Sequence, residues 1–456
     1  MLILLKEDNV KMMNLSLPVN SPMRSKNFTY GVATAAFQIE GGVADRLPCI
    51  WDTFCATPGK VVDNSNGDVA CDHYNRWQDD IELIASLGVD AYRLSLSWPR
   101  IIKQDGSVNQ TGINYYIAIL DQLKAKGIKA YVTLYHWDLP QHLEDEGGWL
   151  NRNTAYKFQD YVKKTVLAFG DRVHSYATLN EPFCSAYLGY EAGIHAPGHA
   201  DINYGKKAAH HLLLAHGLAI ETLKKHSPNT QNGIVLNFTP AYPETDSIKD
   251  KIAAEYADDY FNQWYVKPIM DGTYPAINQQ LPKQQQPDIL PGDMEIISQE
   301  LDFLGINFYT RAVYRHNLAS GFEEVQIPDV ARTDIGWEIY PQAFTELLIS
   351  LDARYTLPPI YITENGAAMD DHCINGEVND QGRVDYYNQH LNAVASAISQ
   401  GVDVRGYFAW SLMDNFEWAE GYLKRFGIVH VDYKTQIRTI KASGLAFRNL
   451  IASRAD

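Results

Sequence analysis

A chain of 456 residues with 46% hydrophobic and 21% charged side chains carries enough apolar material for a large core, and α/β barrels reach this length as single units. Its formal charge of −16 repels nucleic acid and anionic membranes, which excludes binding to either by bulk electrostatics.

The N-terminus has one short apolar run, Leu2 to Leu5, followed by acids. This fits neither a signal-peptide core nor a membrane span, so a cytoplasmic protein is expected. Residues 1–26 are expected to form a loose extension, with Met12 or Met13 as alternative starts, ahead of one catalytic domain over 27–456. Apolar, β-rich runs then recur at 30–37, 91–97, 129–135, 175–179, 233–238, 302–309, 359–363 and 404–410. Most are continuously hydrophobic, as parallel strands covered on both faces should be. Between the first two, Tyr74, Trp77, Ile81, Ile84 and Leu87 step by three or four and stop at Gly88. Ile113, Ile117, Leu120 and Leu123 repeat the pattern up to Gly127, and 154–169, 205–226, 250–266, 342–355, 385–400 and 439–453 supply the other helices. Repeated strand–helix units without a glycine-rich dinucleotide fingerprint predict an α/β protein: a single (β/α)8 TIM barrel whose extended βα loops form an active-site mouth. Segments 275–299 and 316–335 are long excursions of that kind.

The strand ends carry polar and aromatic residues that a barrel core does not need. In order they are Gln38 and Glu40; Trp98; His136, Trp137 and Asp138; Asn180 and Glu181; Asn307 and Tyr309; Glu364; and Trp410 followed by Asp414, Glu417 and Trp418. Taken singly, each has a bland reading as loop carboxylate, helix-start acid or core indole. Together they have the chemistry of a sugar pocket, with indole faces for pyranose C–H surfaces and amides and carboxylates for hydroxyls. Five cysteines without a CxxC pair favour a reducing compartment, each most simply a small buried hydrophobe. Cys184 is set apart by standing three positions after Glu181.

The ordered motifs FTYGVATAAFQIEG (28–41), YRLSLSWPR (92–100), YHWDLPQ (135–141), TLNEP (178–182), NFYT (307–310), YITENG (361–366) and WSLMDNFEWAEGYLKRFGIVHVD (410–432) resemble glycoside hydrolase family 1, the β-glucosidase family, from about Phe28 to Asn449. The resemblance implies double displacement with retention: Glu181 as acid/base and Glu364 as nucleophile, their carboxyls roughly 5–5.5 Å apart. It implies nucleophile support from Arg93 and Asn307, and Arg93, Asn180 and Tyr309 are expected to hold Glu364 in its charged form. Gln38, His136, Asn180, Tyr309, Trp337, Trp410, Glu417, Trp418 and Phe426 are the implied substrate-binding set, with Trp410 as the sugar platform and Trp337 on the aglycone side. A cis Trp410–Ser411 bond is also implied.

Relatives acting on 6-phosphorylated sugars replace the glutamate at position 417 with a small residue. Glu417 therefore favours plain β-glucosides, with β-galactosides and β-fucosides as side activities, and Glu181 excludes a myrosinase-like reading. YEAGIHAPG departs from the family's glycine-rich pattern at Glu191, an acid expected to bias the choice of leaving group. A non-catalytic sugar binder needs neither carboxylate, and a transglycosidase differs only in what attacks the intermediate. No cofactor or metal is implied, since no HxH stands at the first strand end and His136 lacks clustered partners. The expected partner is a small β-glycoside; both a monomer and a homo-oligomer stay open.

Overall fold

The computed structural model describes residues 14–455. Eight parallel strands close into a barrel in chain order: β1 (Thr29–Ala33), β2 (Ala91–Ser95), β3 (Lys129–Thr133), β4 (Ser175–Asn180), β5 (Gln231–Phe238), β6 (Phe303–Phe308), β7 (Ile360–Asn365) and β8 (Val404–Trp410). β8 returns to β1, with Ala33 opposite Trp410, and β1 meets β2 with Ala33 opposite Arg93. Seven of the strands are buried at every residue or all but one, because aromatic side chains fill the inside and helices cover the outside. Tyr131 lies against Phe408 and Tyr361 across the barrel, with ring centroids 5.0 and 5.7 Å apart. This crowding explains Gly31, where a Cβ would stand 2.3 Å from the Phe408 ring.

The helices fall close to the expected ranges, and Gly205–His226 matches at both ends. Two differences have local causes. The first strand stops at Ala33 because residues Ala36–Ile39 turn helical and carry Gln38 over the barrel end. The helix expected at 250–266 is broken into Ile248–Asp258 and Trp264–Asp271 by a π-helical turn at Asp259–Gln263. The excursion at 316–335 takes part in a hairpin, Ala312–Asn317 against Gly321–Val325, which pairs with Ala241–Pro243 beside the barrel mouth.

Of the expected loose extension, residues 1–13 lie outside the described residues. From Asn14 onward the chain is not loose. Leu15, Leu17 and Met23 are buried, Ser16 bonds to Asn388, and Ser25 bridges to Ala455. Apolar side chains at alternate positions supply the reason, since Leu15 and Leu17 are buried as part of the main hydrophobic core.

A buried ionic network holds the loops that follow β7 and β8. Lys441 Nζ donates to Asp371 at 2.5 Å and to Asp414 at 2.6 Å, Arg383 grips Asp371 and Asp380, and Arg425 reaches Asp414 at 2.6 Å. Asp414, placed among sugar-facing residues by the sequence, belongs here. Its carboxyl is held below the usual range, Lys441 and Arg425 outweighing burial. Lys441→Met leaves Asp371 with Arg383 and Asp414 with Arg425 but removes the fully buried cation that the two carboxylates share, and should cost about 3–5 kcal/mol in urea unfolding. Lys124→Met, at the exposed pair with Asp171, should change stability by no more than about 1 kcal/mol. Equal midpoints for the two variants would contradict this account.

Candidate active site

A cavity of about 690 Å³ opens at the C-terminal ends of the strands. β4 delivers Asn180 and, one residue on, Glu181; β6 delivers Asn307 and the following Tyr309; β7 delivers Glu364. Glu181, Trp137 and Trp418 all have left-handed backbones, with φ of 45°, 78° and 48°. Such a conformation is unfavourable for a residue with a Cβ and persists only where the surroundings impose it. The expected cis Trp410–Ser411 bond is present.

Glu364 is 3% exposed and clamped at both oxygens. Arg93 Nη1 donates to Oε1 at 2.5 Å and the Tyr309 hydroxyl to Oε2 at 2.6 Å. Asn180 and Asn307 differ from expectation. Neither bonds to Glu364 directly. Asn180 Oδ1 accepts from Arg93 Nη2 at 2.6 Å and from Asn307 Nδ2 at 3.2 Å, so it orients the arginine. Asn307 Nδ2 donates to Glu181 Oε1 at 2.6 Å while its Oδ1 accepts from Thr363. Both of its polar groups are thereby used, and it supports Glu181 instead of Glu364.

Glu181 is pushed up to about 7, first by burial and then by the charge of Glu364, against the opposing donors Asn307 and Cys184. Glu417 is pushed up to about 8 by burial, then by Glu364 and Glu181. Gln38 Nε2 steadies it from 3.4 Å while also donating to Asn415 and the Phe416 carbonyl. Gln38 Oε1 is buried with no partner among the described residues, an acceptor left over for a hydroxyl. His136 is arranged similarly. Because Asn180 Oδ1 already takes two donors, its Nδ2 must face His136 Nε2, 3.1 Å away. Burial, reinforced by Arg93, drives His136 well below its usual range, so the neutral ring keeps its proton on the otherwise unpartnered Nδ1.

Aromatic walls complete the cavity. His136 stacks between Trp410 and Trp418, with centroids 6.0 and 5.8 Å away. Tyr309, Trp337 and Phe426 form a corner with centroids 5.2 to 6.0 Å apart. Trp98 and Glu40, expected at the mouth, are not part of it. Trp98 stacks on Tyr161 in the core, and Glu40 takes Arg100 and the Tyr116 hydroxyl.

The outer cavity is lined by residues not singled out from the sequence, among them Phe183, Tyr187, Phe261, Tyr314 and Arg332. Phe183 and Tyr187 accompany a π-helical turn, Cys184–Glu191, and Phe261 sits on the second such turn. An inserted residue in a helix breaks the 3.6-residue period, leaving no pattern to read. Glu191 proves not to face this cavity. It turns away to accept from the Tyr260 hydroxyl at 2.5 Å, beside the buried Lys206, and so braces one π turn against the other.

Two buried carboxyls with opposed environments, set among indoles and unpartnered hydroxyl-binding groups at a barrel mouth, define a glycoside hydrolase. The Glycosyl hydrolase family 1 model matches residues 21–455. A β-glucosidase from Agrobacterium sp. is 49% identical over 92% of this chain and 93% of its own. The family 1 β-glucosidase structure from Exiguobacterium antarcticum superposes with a TM-score of 0.91 at 45% identity, covering 94% of this chain and 98% of that one. The family 1 β-glucosidase structure from Thermotoga maritima gives 0.92 at 43% identity, covering 94% and 98%. The chain belongs to glycosyl hydrolase family 1.

Proposed function

We propose that this enzyme is a retaining β-glucosidase, releasing terminal non-reducing β-D-glucosyl residues from oligosaccharides and from aryl or alkyl glucosides. The observation that carries the reading is the division of labour between the carboxyls. Glu364 is gripped by a cation and a phenol, whereas Glu181 is raised to about 7 by burial and by Glu364 itself. Glu364 attacks the anomeric carbon while Glu181 protonates the departing oxygen. The glycosyl ester so formed is neutral, and the charge that raised Glu181 disappears. Glu181 then takes a proton from water, which attacks from the opposite face and restores the β configuration. His136, Gln38 and Glu417 bind the glucose hydroxyls on the Trp410 and Trp418 surfaces. A Glu417 pushed to about 8 is mainly an acid at neutral pH, able to donate and accept toward the 4- and 6-hydroxyls. The apolar outer cavity accepts aryl aglycones as well as sugars. Five unpaired thiols favour a reducing compartment such as the cytoplasm.

Proton NMR of an aryl β-D-glucoside digest tests the reading directly: β-glucose should appear first and mutarotate afterwards. Early α-glucose would exclude a Glu364 ester. The pH profile supplies a second check. Glu181 must hold its proton to act as acid, so kcat/KM for an alkyl glucoside should fall above about 7, approaching tenfold per pH unit. A flat profile to high pH would remove Glu181 from that role.

A further inference from the structure

Cys184 opens the π-helical turn after β4, one helical turn beyond Glu181, and lines the same cavity. Its Sγ lies 3.1 Å from Glu181 Oε2. The other oxygen, Oε1, accepts the Asn307 amide at 2.6 Å. An amide N–H can only donate, so Oε1 must keep a lone pair toward it in both forms of the acid. Oε2, the oxygen that faces the thiol, is therefore the better place for the proton that Glu181 gains and loses.

Sulfur suits that place because a thiol is both a weak donor and a weak acceptor. It can donate S–H to the carboxylate and accept O–H from the acid by a rotation about one bond. Burial, then the charge of Glu181, holds the Cys184 thiol well above its usual range, so it remains neutral throughout. The other groups facing this carboxyl are Glu364, which disfavours its charge, Arg93, which favours it, and the Asn307 amide. Glu417 faces the thiol from the β8 side.

We propose that Cys184 is a positioning residue for the acid/base reaction, its thiol holding the proton-carrying oxygen of Glu181 in both of that oxygen's states. The proposal rests on the assignment of Glu181 as acid/base. A stronger donor at this position would fix Glu181 as an anion, and an apolar side chain would leave Oε2 without a partner.

The test compares wild type with Cys184→Ser and Cys184→Ala, reading kcat/KM for an alkyl β-glucoside against pH. Serine, the better donor, should move the basic limb down, and alanine, with no donor, should move it up, each by on the order of half a pH unit. A merely structural cysteine would lower activity or melting temperature without opposite displacements of the limb. Coincident limbs, or displacement in one direction for both variants, would overturn the proposal. If one variant does not fold, the direction in the other still decides, serine being nearly isosteric with cysteine. Glu181→Gln is measured alongside. If it retains the basic limb, the limb does not belong to Glu181 and the acid/base assignment fails; if it loses the limb while the Cys184 variants leave it in place, only the role of Cys184 fails.

Discussion

Glu364→Ala is expected to abolish turnover of every glucoside, with kcat falling at least about 10⁵-fold, a loss of roughly 7 kcal/mol of transition-state stabilisation. The residue supplies a carboxylate held at one oxygen by Arg93 and at the other by Tyr309, and neither donor can replace it as nucleophile. Removing the carboxylate leaves Arg93 its contact with Asn180 and does not touch Gln38, His136, Glu417, Trp410 or Trp418, so substrate should still bind. The variant offers a stereochemical check beyond rate. Azide fits the space left by the side chain and attacks from the nucleophile's face, displacing the aglycone in a single step. The product should be the α-glucosyl azide. Restoration of the β-azide instead would mean that a covalent intermediate still forms, and Glu364 would not be the nucleophile.

Glu181→Gln should produce a different defect, graded by the leaving group. For an alkyl or sugar aglycone, loss of the acid should cost about 10²–10⁴-fold in kcat/KM. A dinitrophenyl aglycone leaves without protonation, so its first step should remain near the wild-type rate. The second step then stalls for want of a base, and a burst of phenol followed by a slow steady state should be seen. Glutamine preserves shape and the Asn307 contact at Oε1, so the effect isolates the proton. In the companion Glu181→Ala variant azide enters on the acid/base face, attacks the ester and gives the β-azide, the opposite anomer from that of the Glu364 variant. Uniform slowing across leaving groups would show that Glu181 acts by binding alone.

Much of this site was legible in the sequence because each barrel strand is short and ends where its hydrophobic run ends. The residues immediately beyond, Glu181 after 175–179 and Glu364 after 359–363, were therefore placed at the mouth before any coordinates. Trp98, Glu40 and Asp414 show the limit of that logic. They too follow strands, yet Trp98 packs on Tyr161, Glu40 pairs with Arg100 and Asp414 with Lys441. Position along the chain does not say which way a side chain turns once the strand has ended. Asn307 is subtler: its place at the site was expected, but its partner was not, since both carboxyls lie within reach of β6 and only side-chain geometry chooses between them.

The outer cavity was the least legible part. Phe183, Tyr187 and Phe261 sit on or next to π-helical turns, whose inserted residue erases the helical period, and Tyr314 lies on a hairpin strand that begins ahead of the segment 316–335, which reads only as a long loop. Glu191 stood out as an unusual acid, but its turn toward Tyr260 depends on two such segments meeting in space.

By itself the sequence determined the eightfold strand–helix order, the family resemblance and the identity of the two carboxyls, because hydrophobic periodicity and short motifs are local properties of the chain. The tertiary structure alone decided which carboxyl each amide serves, how far Glu181 and Glu417 are pushed from their ordinary ranges, and that a thiol faces Glu181 Oε2. Those depend on burial and on distances of a few ångströms between residues remote in sequence, and a pairwise charge effect in a dry cavity is set by that separation and not by order along the chain.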